Sequence, residues 1–336
     1  MKVACHFTVP QPVDLRIDAA VQDGLCIVEK NGGEINFLYP GRDVKIYFPR
    51  FLSGLQQLRK LREIEKRIDI HHVFSNGFYP YPIYSLLKKP IVVSTVIGLS
   101  GNAVIRYPLL FRKVKHFIVP SEQDQQLMKL SGYQSVSVVR PGIDLTRFSH
   151  TPCSDTAKIM LLVGSAPWNE DQFDKKGVNL LLEVMSELPW LHITFLWRGV
   201  LRELLEKKVA AARLSDRVKI LEGYVDVNEV LAGVHATVVL ASDEKVIKAY
   251  PHSIMESLAA KKPVIISGCL QIKKYVKEKK CGVIVNSLDK KSLHEALWDI
   301  KNNYQHYCDR LQSISEWIFS DETMLKKINV IYNGIL

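Results

Sequence analysis

The sequence predicts an α/β chain of two halves, each a parallel sheet flanked by helices, and three observations carry that prediction. Short apolar runs rich in β-branched residues alternate with longer amphipathic stretches along almost the whole chain, as β-α-β crossovers require. At 336 residues and 47% hydrophobic content, the chain can bury two cores. A polar segment from Ser149 to Thr156, interrupted by Pro152, separates two such series, which places one domain over residues 1–150 and another over 151–336.

In the first half, Lys2 to Val9 alternates as an opening strand. After Pro10-Gln11-Pro12, a helix from about Leu15 to Lys30 turns Ile17, Ala20, Val21, Leu25 and Val28 toward the core, and Asn31-Gly32-Gly33 ends it. Strands follow at Ile35 to Leu38, His72 to Ser75, Pro90 to Thr95, His116 to Val119 and Ser135 to Val139. Ligands of open parallel sheets sit at the carboxyl ends of strands, which here carry Ser75-Asn76-Gly77, Thr95 to Gly98 and Pro120-Ser121-Glu122. Ser121 suits the cap of the next helix. Farther on, Asp144 and Arg147 are spaced for a local ion pair.

The second half restarts with a strand at Lys158 to Gly164, a polar loop and Lys176-Gly177 at a helix entrance. Strands at His192 to Leu196 and Val218 to Leu221 flank the helical run Leu201 to Arg213. The most informative stretch is Lys248 to Val264, KAYPHSIMESLAAKKPV, between the apolar runs Ala236 to Ala241 and Pro263 to Ser267. Ser253 with Glu256 three residues on reads as a capping box that starts a helix at about Ile254. The N–H groups and positive dipole end of such a helix form an anion site. From Ser292 to Tyr332 the pattern is helical.

Other chemistry is largely excluded. Glu170, Asp171 and Asp174 do not have the spacing of a calcium loop, and the six cysteines are scattered without a Cys-x-x-Cys pair, so no metal is expected and the thiols read as reduced and structural. No apolar stretch approaches the roughly 18 to 20 residues of a membrane span, and the first residues are too short a run for a signal peptide, so a cytoplasmic chain is expected. The net charge of +10 is uneven: residues 1–150 hold 20 Lys plus Arg against 12 Asp plus Glu, and residues 151–336 hold 25 against 23. Within Leu52 to Arg67, Arg59, Arg62 and Lys66 recur at helical spacing beside Lys60 and Arg67, and Arg106, Arg112, Lys113 and Lys115 follow. These residues make either a solvated face or a surface for anionic headgroups at the inner face of a membrane, with about 1 kcal/mol for each. No recognition helix or aromatic-basic motif accompanies them, which argues against nucleic acid.

The Lys248 to Val264 stretch resembles the donor-site signature of the retaining glycosyltransferases of family four, the glycosyl transferases group 1. These nucleotide-sugar enzymes have the GT-B fold, two Rossmann-like domains with a cleft between them. The resemblance implies that Glu256, matching the second acid of the signature, binds the nucleotide ribose, with His252, Ser253 and Ile254 supplying N–H groups. Lys248 stands where the first acid is found, and Lys261 replaces a Gly. Gly164, the polar loop and Lys176-Gly177 are similar to the donor phosphate loop: Lys176 neutralises the diphosphate, Ser165 occupies the place of an Arg, and Arg198 or Lys248 supplies the second charge. Gly223-Tyr224-Val225 resembles the base-binding turn, although Tyr224 suits a core position equally. Phe117 to Tyr133 and Val136 to Phe148 resemble the end of the acceptor domain, and Ser315 to Tyr332 the terminal segment that packs back across both domains. Ile97 stands where relatives carry a catalytic-site His. The implied activity is transfer of a hexosyl group from a nucleotide-diphosphate sugar to a lipid-linked or glycan acceptor, with retention and without a metal cofactor. No catalytic residue is assigned. The alternative, motivated by Lys248 and Ile97, is a degenerate GT-B protein serving as a nucleotide-sugar-binding partner subunit.

Overall fold

The computed structural model describes residues 1–11, 14–15, 18–39, 49–96, 99, 108–153, 155–197, 201–314 and 317–336; Ile97, Gly98, Arg106 and Arg198 lie outside them. The chain divides into two units, Met1–Gly142 with Ile318–Leu336, and Ile143–Trp317. The division falls ahead of residue 150, and the end of the chain belongs with its beginning.

The first unit runs β1 (Val3–Phe7), α1 (Ala19–Asn31), β2 (Gly33–Phe37), α2 (Leu58–Glu65), β3 (Ile70–Ser75), α3 (Ile83–Leu86), β4 (Ile91–Thr95), β5 (Val114–Val119), α4 (Glu122–Leu130) and β6 (Val136–Val138). The second runs β7 (Ile159–Val163), α5 (Asp171–Lys175), α6 (Val178–Glu187), β8 (Leu191–Trp197), α7 (Arg202–Ala211), β9 (Val218–Glu222), α8 (Val227–Ala232), β10 (Ala236–Val239), α9 (His252–Ala259), β11 (Val264–Ser267), α10 (Lys273–Lys279), β12 (Gly282–Val285) and α11 (Lys290–Gln312). The last helix, α12 (Asp321–Asn333), returns to the first unit.

Each unit holds a six-stranded sheet, ordered β2-β1-β3-β4-β5-β6 and β12-β11-β10-β7-β8-β9, and neighbouring strands pair in parallel. Helices cover both faces of such sheets, so central strands lose their polar alternation. Every residue of β1, β3 and β4 is accordingly buried. One core of the first unit gathers Val3, Phe7, Ile70, Val92 and Ile118 with Met324, Leu325, Ile328 and Tyr332 of α12. The apolar stripe of that last helix is what brings it back to the first sheet. In the second unit the core joins Ile159 and Leu161 of β7 to Leu181 and Met185 of α6 and to Leu293, Leu297 and Ile300 of α11.

Two histidines in the central strand β3 are satisfied by their own unit. His72 has Nδ1 2.6 Å from the Tyr332 hydroxyl and Nε2 2.7 Å from Ser94 Oγ. Burial pushes its pKa down to about 3, so it stays neutral. His71 Nδ1 lies 2.8 Å from His6 Nε2, and its Nε2 lies 3.2 Å from Glu65 Oε1. Burial raises the Glu65 pKa, but the Lys88 and Lys89 N–H groups, Arg62 and His71 outweigh it and hold the carboxyl at about 2.

Of three local expectations, one holds and two change. Ser121 does cap α4, accepting from the Asp124 N–H. Asp144 and Arg147, however, form no ion pair. The Asp144 carboxylate instead accepts from the Thr146 N–H at 2.9 Å and from the Thr146 hydroxyl at 2.6 Å, which closes a short turn. The helical spacing read across Leu52 to Arg67 contracts to α2, preceded by short 3-10 turns at Arg50–Leu52 and Leu55–Gln57. Most of its charges are engaged inside the unit. Arg62 bonds Glu65 at 2.7 Å and the Leu86 carbonyl at 2.6 Å, Lys66 pairs with Glu63 at 2.7 Å, and Arg67 pairs with Glu34 at 3.0 Å.

Candidate functional site

The order of the second sheet reverses between β7 and β10, since β8 and β9 extend from one side of β7 while β10, β11 and β12 extend from the other. The crevice at the carboxyl ends of those two strands is where an open α/β sheet binds its ligand. Three segments converge there. Leaving β7, the chain enters Gly164 and Ser165. A Cβ on Gly164 would lie 2.6 Å from Ser253 Cβ and 3.0 Å from Ser253 Oγ, so glycine is what lets this strand end abut the first turn of α9. At the second segment Lys176 Nζ reaches back to donate to the Ala166 carbonyl at 2.9 Å, clasping the loop after β7. Gly177 follows with φ of 63°, and a Cβ on it would lie 2.9 Å from Leu240 Cδ1. The third segment is the end of β10, where the Ser242 N–H donates to the Lys175 carbonyl at 2.7 Å.

Helix α9 begins at His252 with Pro251 as its N-cap, in extended geometry at φ −65° and ψ 130°, and no side chain caps it. The expected capping box of Ser253 and Glu256, with a start near Ile254, is therefore not formed. Proline offers the fixed φ and has no side-chain oxygen, so it starts the helix two residues early and carries Ser253 inside the first turn. The first N–H groups of a helix have no acceptor within it, and the dipole adds partial positive charge there. A helix start without a side-chain cap, beside a lysine and a glycine-lined strand end, is chemically an anion cradle.

Lys176 is only 8% exposed. Burial pushes its pKa down to about 8, a cost that an arriving anion would offset. The other predicted residues are placed as follows. His252 is buried in the first turn of α9, Ile254 is fully buried with its N–H donating to the Pro251 carbonyl at 3.1 Å, and Glu256 sits half-buried in the second turn. Lys248 is half-buried in the loop ahead of α9. Tyr224 follows Gly223 after the edge strand β9 and is 46% exposed, so it is not a core residue. Arg198 lies outside the described residues.

In the acidic loop, Asp171 pairs with Lys175 at 2.5 Å and Asp174 accepts from Asn179 at 2.6 Å. Among the described residues, no group of three or more His, Cys, Asp or Glu could hold a metal ion. Two of the strand-end residues that the sequence placed at the carboxyl edge of the first sheet carry buried hydroxyls. Ser75 ends β3 and Thr95 ends β4 directly opposite, and both are buried with no hydrogen-bond partner among the described residues. Their signal was only their place at the ends of apolar runs.

Comparison with known proteins defines the fold. The chain is similar to HepE of Anabaena in complex with UDP (14% identity, 99% of this chain and 100% of that one, TM-score 0.74). Sucrose-phosphate synthase of Thermosynechococcus elongatus is also similar (14%, 99% and 99%, 0.69), as is WaaG, a glycosyltransferase involved in lipopolysaccharide biosynthesis (13%, 99% and 100%, 0.68). The fold is therefore GT-B, two parallel six-stranded sheets flanked by helices. Residues 157–315, within the second unit, match the family described as Glycosyl transferases group 1. No curated protein sequence matches the chain.

Proposed function

We propose that the chain is a retaining glycosyltransferase that moves a hexosyl group from a nucleotide-diphosphate sugar to a lipid-linked or glycan acceptor. The observation that carries this reading is the convergence of Gly164, Lys176 and the start of α9 at the switch point of the second sheet. HepE, whose crystal structure holds UDP, shares the fold. The sugar–diphosphate bond breaks as an acceptor hydroxyl oxygen bonds to the sugar on the same face, and the hydroxyl proton passes to the departing diphosphate. The negative charge left on the diphosphate meets the Lys176 ammonium and the N–H groups of His252 and Ser253, so no metal is required. Preorganised charge and orientation supply the acceleration. Glu256 accepts from the ribose hydroxyls, and Tyr224 lies at the base. In the first unit, Ser75 and Thr95 offer their hydroxyls to the acceptor.

Incubation with a panel of nucleotide sugars tests this directly, because a transferase without acceptor hydrolyses its donor slowly and releases nucleoside diphosphate. Binding without release, with or without acceptor extracts, would instead favour a nucleotide-sugar-binding partner subunit, the reading that Lys248 in place of an acid supports. Glu256→Gln sharpens the test. Because glutamine keeps the length and the hydrogen-bonding capacity of the side chain and removes only its charge, the melting temperature is expected to change little while donor turnover drops. Unchanged turnover would remove Glu256 from the ribose.

The same reading places the protein at the inner, cytoplasmic face of a membrane through its first unit, without a span. No helix of the described residues is long and apolar enough to cross a membrane. Leu109 is 80% and Leu86 39% exposed, while Arg59, Lys88, Lys89 and Arg112 are exposed in the same unit. Four such charges contribute on the order of 4 kcal/mol at an anionic surface, enough for reversible adsorption that salt reverses. Co-sedimentation with anionic vesicles at low salt is expected for wild type. It should be lost for the combined Arg59→Glu, Lys89→Glu and Arg112→Glu variant, which spares the bonded Arg62. Equal sedimentation of the two proteins, or none for either, would leave the basic face to an anionic soluble acceptor.

A further inference from the structure

Lys262, in the turn between α9 and β11, is fully buried, and no carboxylate among the described residues pairs with it. A lysine in such a place is costly to keep. Its Nζ donates to the Thr151 carbonyl at 2.6 Å and lies 3.2 Å from Cys153 Sγ. The thiol is half-buried and is itself held by the Val234 carbonyl at 3.3 Å. The carbonyls of Thr151 and Val234 thus aim an amine and a thiol at each other, in contact and ahead of β7. Neither the fold nor the candidate site uses this pair.

We propose that Cys153 and Lys262 form an oxidation-dependent covalent bridge in which one oxygen atom joins Sγ to Nζ. The chemistry needs two equivalents of a peroxide. The first oxidises the thiol to a sulfenic acid: the peroxide O–O bond breaks, one oxygen bonds to sulfur, and the other leaves as water. In the second step the Lys262 ammonium gives up a proton and its nitrogen bonds to the sulfenic oxygen. The second peroxide accepts the two electrons, and the two hydrogens lost from nitrogen and oxygen complete two molecules of water. The product has gained one oxygen and lost two hydrogens relative to the thiol and amine. A dithiol reductant opens the bridge by attacking the sulfur: the S–O bond breaks, the oxygen leaves on the lysine nitrogen as a hydroxylamine, and the dithiol closes to its own disulfide as the Cys153 thiol is restored.

The bridge ties the segment ahead of β7 to the turn that follows α9. It spans 109 residues of sequence, so it restricts the unfolded chain as a disulfide does and raises the melting temperature. This inference stands independently of the glycosyltransferase reading.

Full-length protein treated with hydrogen peroxide, then alkylated and digested, tests the bridge by peptide mass spectrometry. The expected product is one pair of peptides containing Cys153 and Lys262, joined with one added oxygen and two hydrogens lost, which dithiothreitol separates. The treated protein should melt higher until reduced. Cys153→Ser and Lys262→Arg should both lack the linked peptide, and Cys153→Ser, at the half-buried position, covers the case in which the fully buried site does not tolerate arginine. Cys308 is close enough to feel the charges of both Lys262 and Cys153, so a disulfide is the main competing product. Loss of two hydrogens with no oxygen gained, oxygen on Cys153 without a link to Lys262, or a linked peptide persisting in Cys153→Ser would each overturn the proposal.

Discussion

Lys176→Met is expected to lose nucleoside-diphosphate affinity by roughly ten- to a hundred-fold, the scale of about 1.5 to 3 kcal/mol for a hydrogen bond to a charged group, and yet to melt no lower than wild type at neutral pH. The two effects have one cause. Lys176 is 8% exposed, and burial lowers its pKa from 10.5 to about 8, so the folded protein holds the ammonium at a penalty of about 3 kcal/mol. Methionine fills a similar volume without that penalty and gives up only the bond to the Ala166 carbonyl. Because the folded pKa is depressed and the group is a base, the penalty is complete below about pH 8 and fades as pH rises toward 10.5. The stability advantage of the methionine variant should fade over the same window. Nucleotide affinity should move in the opposite sense, because a diphosphate requires the ammonium. Wild-type affinity should hold below about pH 8 and decline above it, whereas the variant stays flat there. Calorimetric titration with a nucleoside diphosphate across this range checks both. Binding by the variant as tight as wild type at pH 7 would take Lys176 out of the site.

Gly164→Ala should be damaging through packing alone. The glycine has no left-handed φ, so alanine strains no dihedral, and the whole effect comes from a Cβ placed 2.6 Å from Ser253 Cβ. Overpacking of this kind costs about 1 to 3 kcal/mol, and relief requires the first turn of α9 to move off the end of β7. Both melting temperature and nucleoside-diphosphate affinity are therefore expected to fall. A double-mutant cycle isolates the contact: Ser253→Gly removes the atom that the new methyl meets, so the combined variant should recover most of the stability lost by Gly164→Ala. The coupling should be on the order of 1 to 3 kcal/mol. Strict additivity of the two changes would mean that β7 and α9 do not meet through these residues.

By itself, the order of apolar runs determined that this protein has two parallel sheets with helices between the strands. Crossover lengths and the period of hydrophobic residues are local properties, readable without contacts. Lys176-Gly177 at a helix entrance and the stretch around His252 to Glu256 were legible as site residues for the same reason, since each lies in a short pattern. Tertiary structure decided what those patterns do. Pro251 outcompetes Ser253 for the start of α9, and the choice depends on Ser253 being packed against Gly164, a partner far away in sequence. The basic period near α2 looked like a free face until Arg62, Lys66 and Arg67 found Glu65, Glu63 and Glu34, and Asp144 turned to its own Thr146 instead of Arg147. The place of α12 was set by apolar contacts with Val3, Ile70 and Val92 at the other end of the chain. The depressed pKa of Lys176 likewise belongs to no pattern of letters, because desolvation is produced by every neighbour that excludes water from the group, and only the folded chain assembles them.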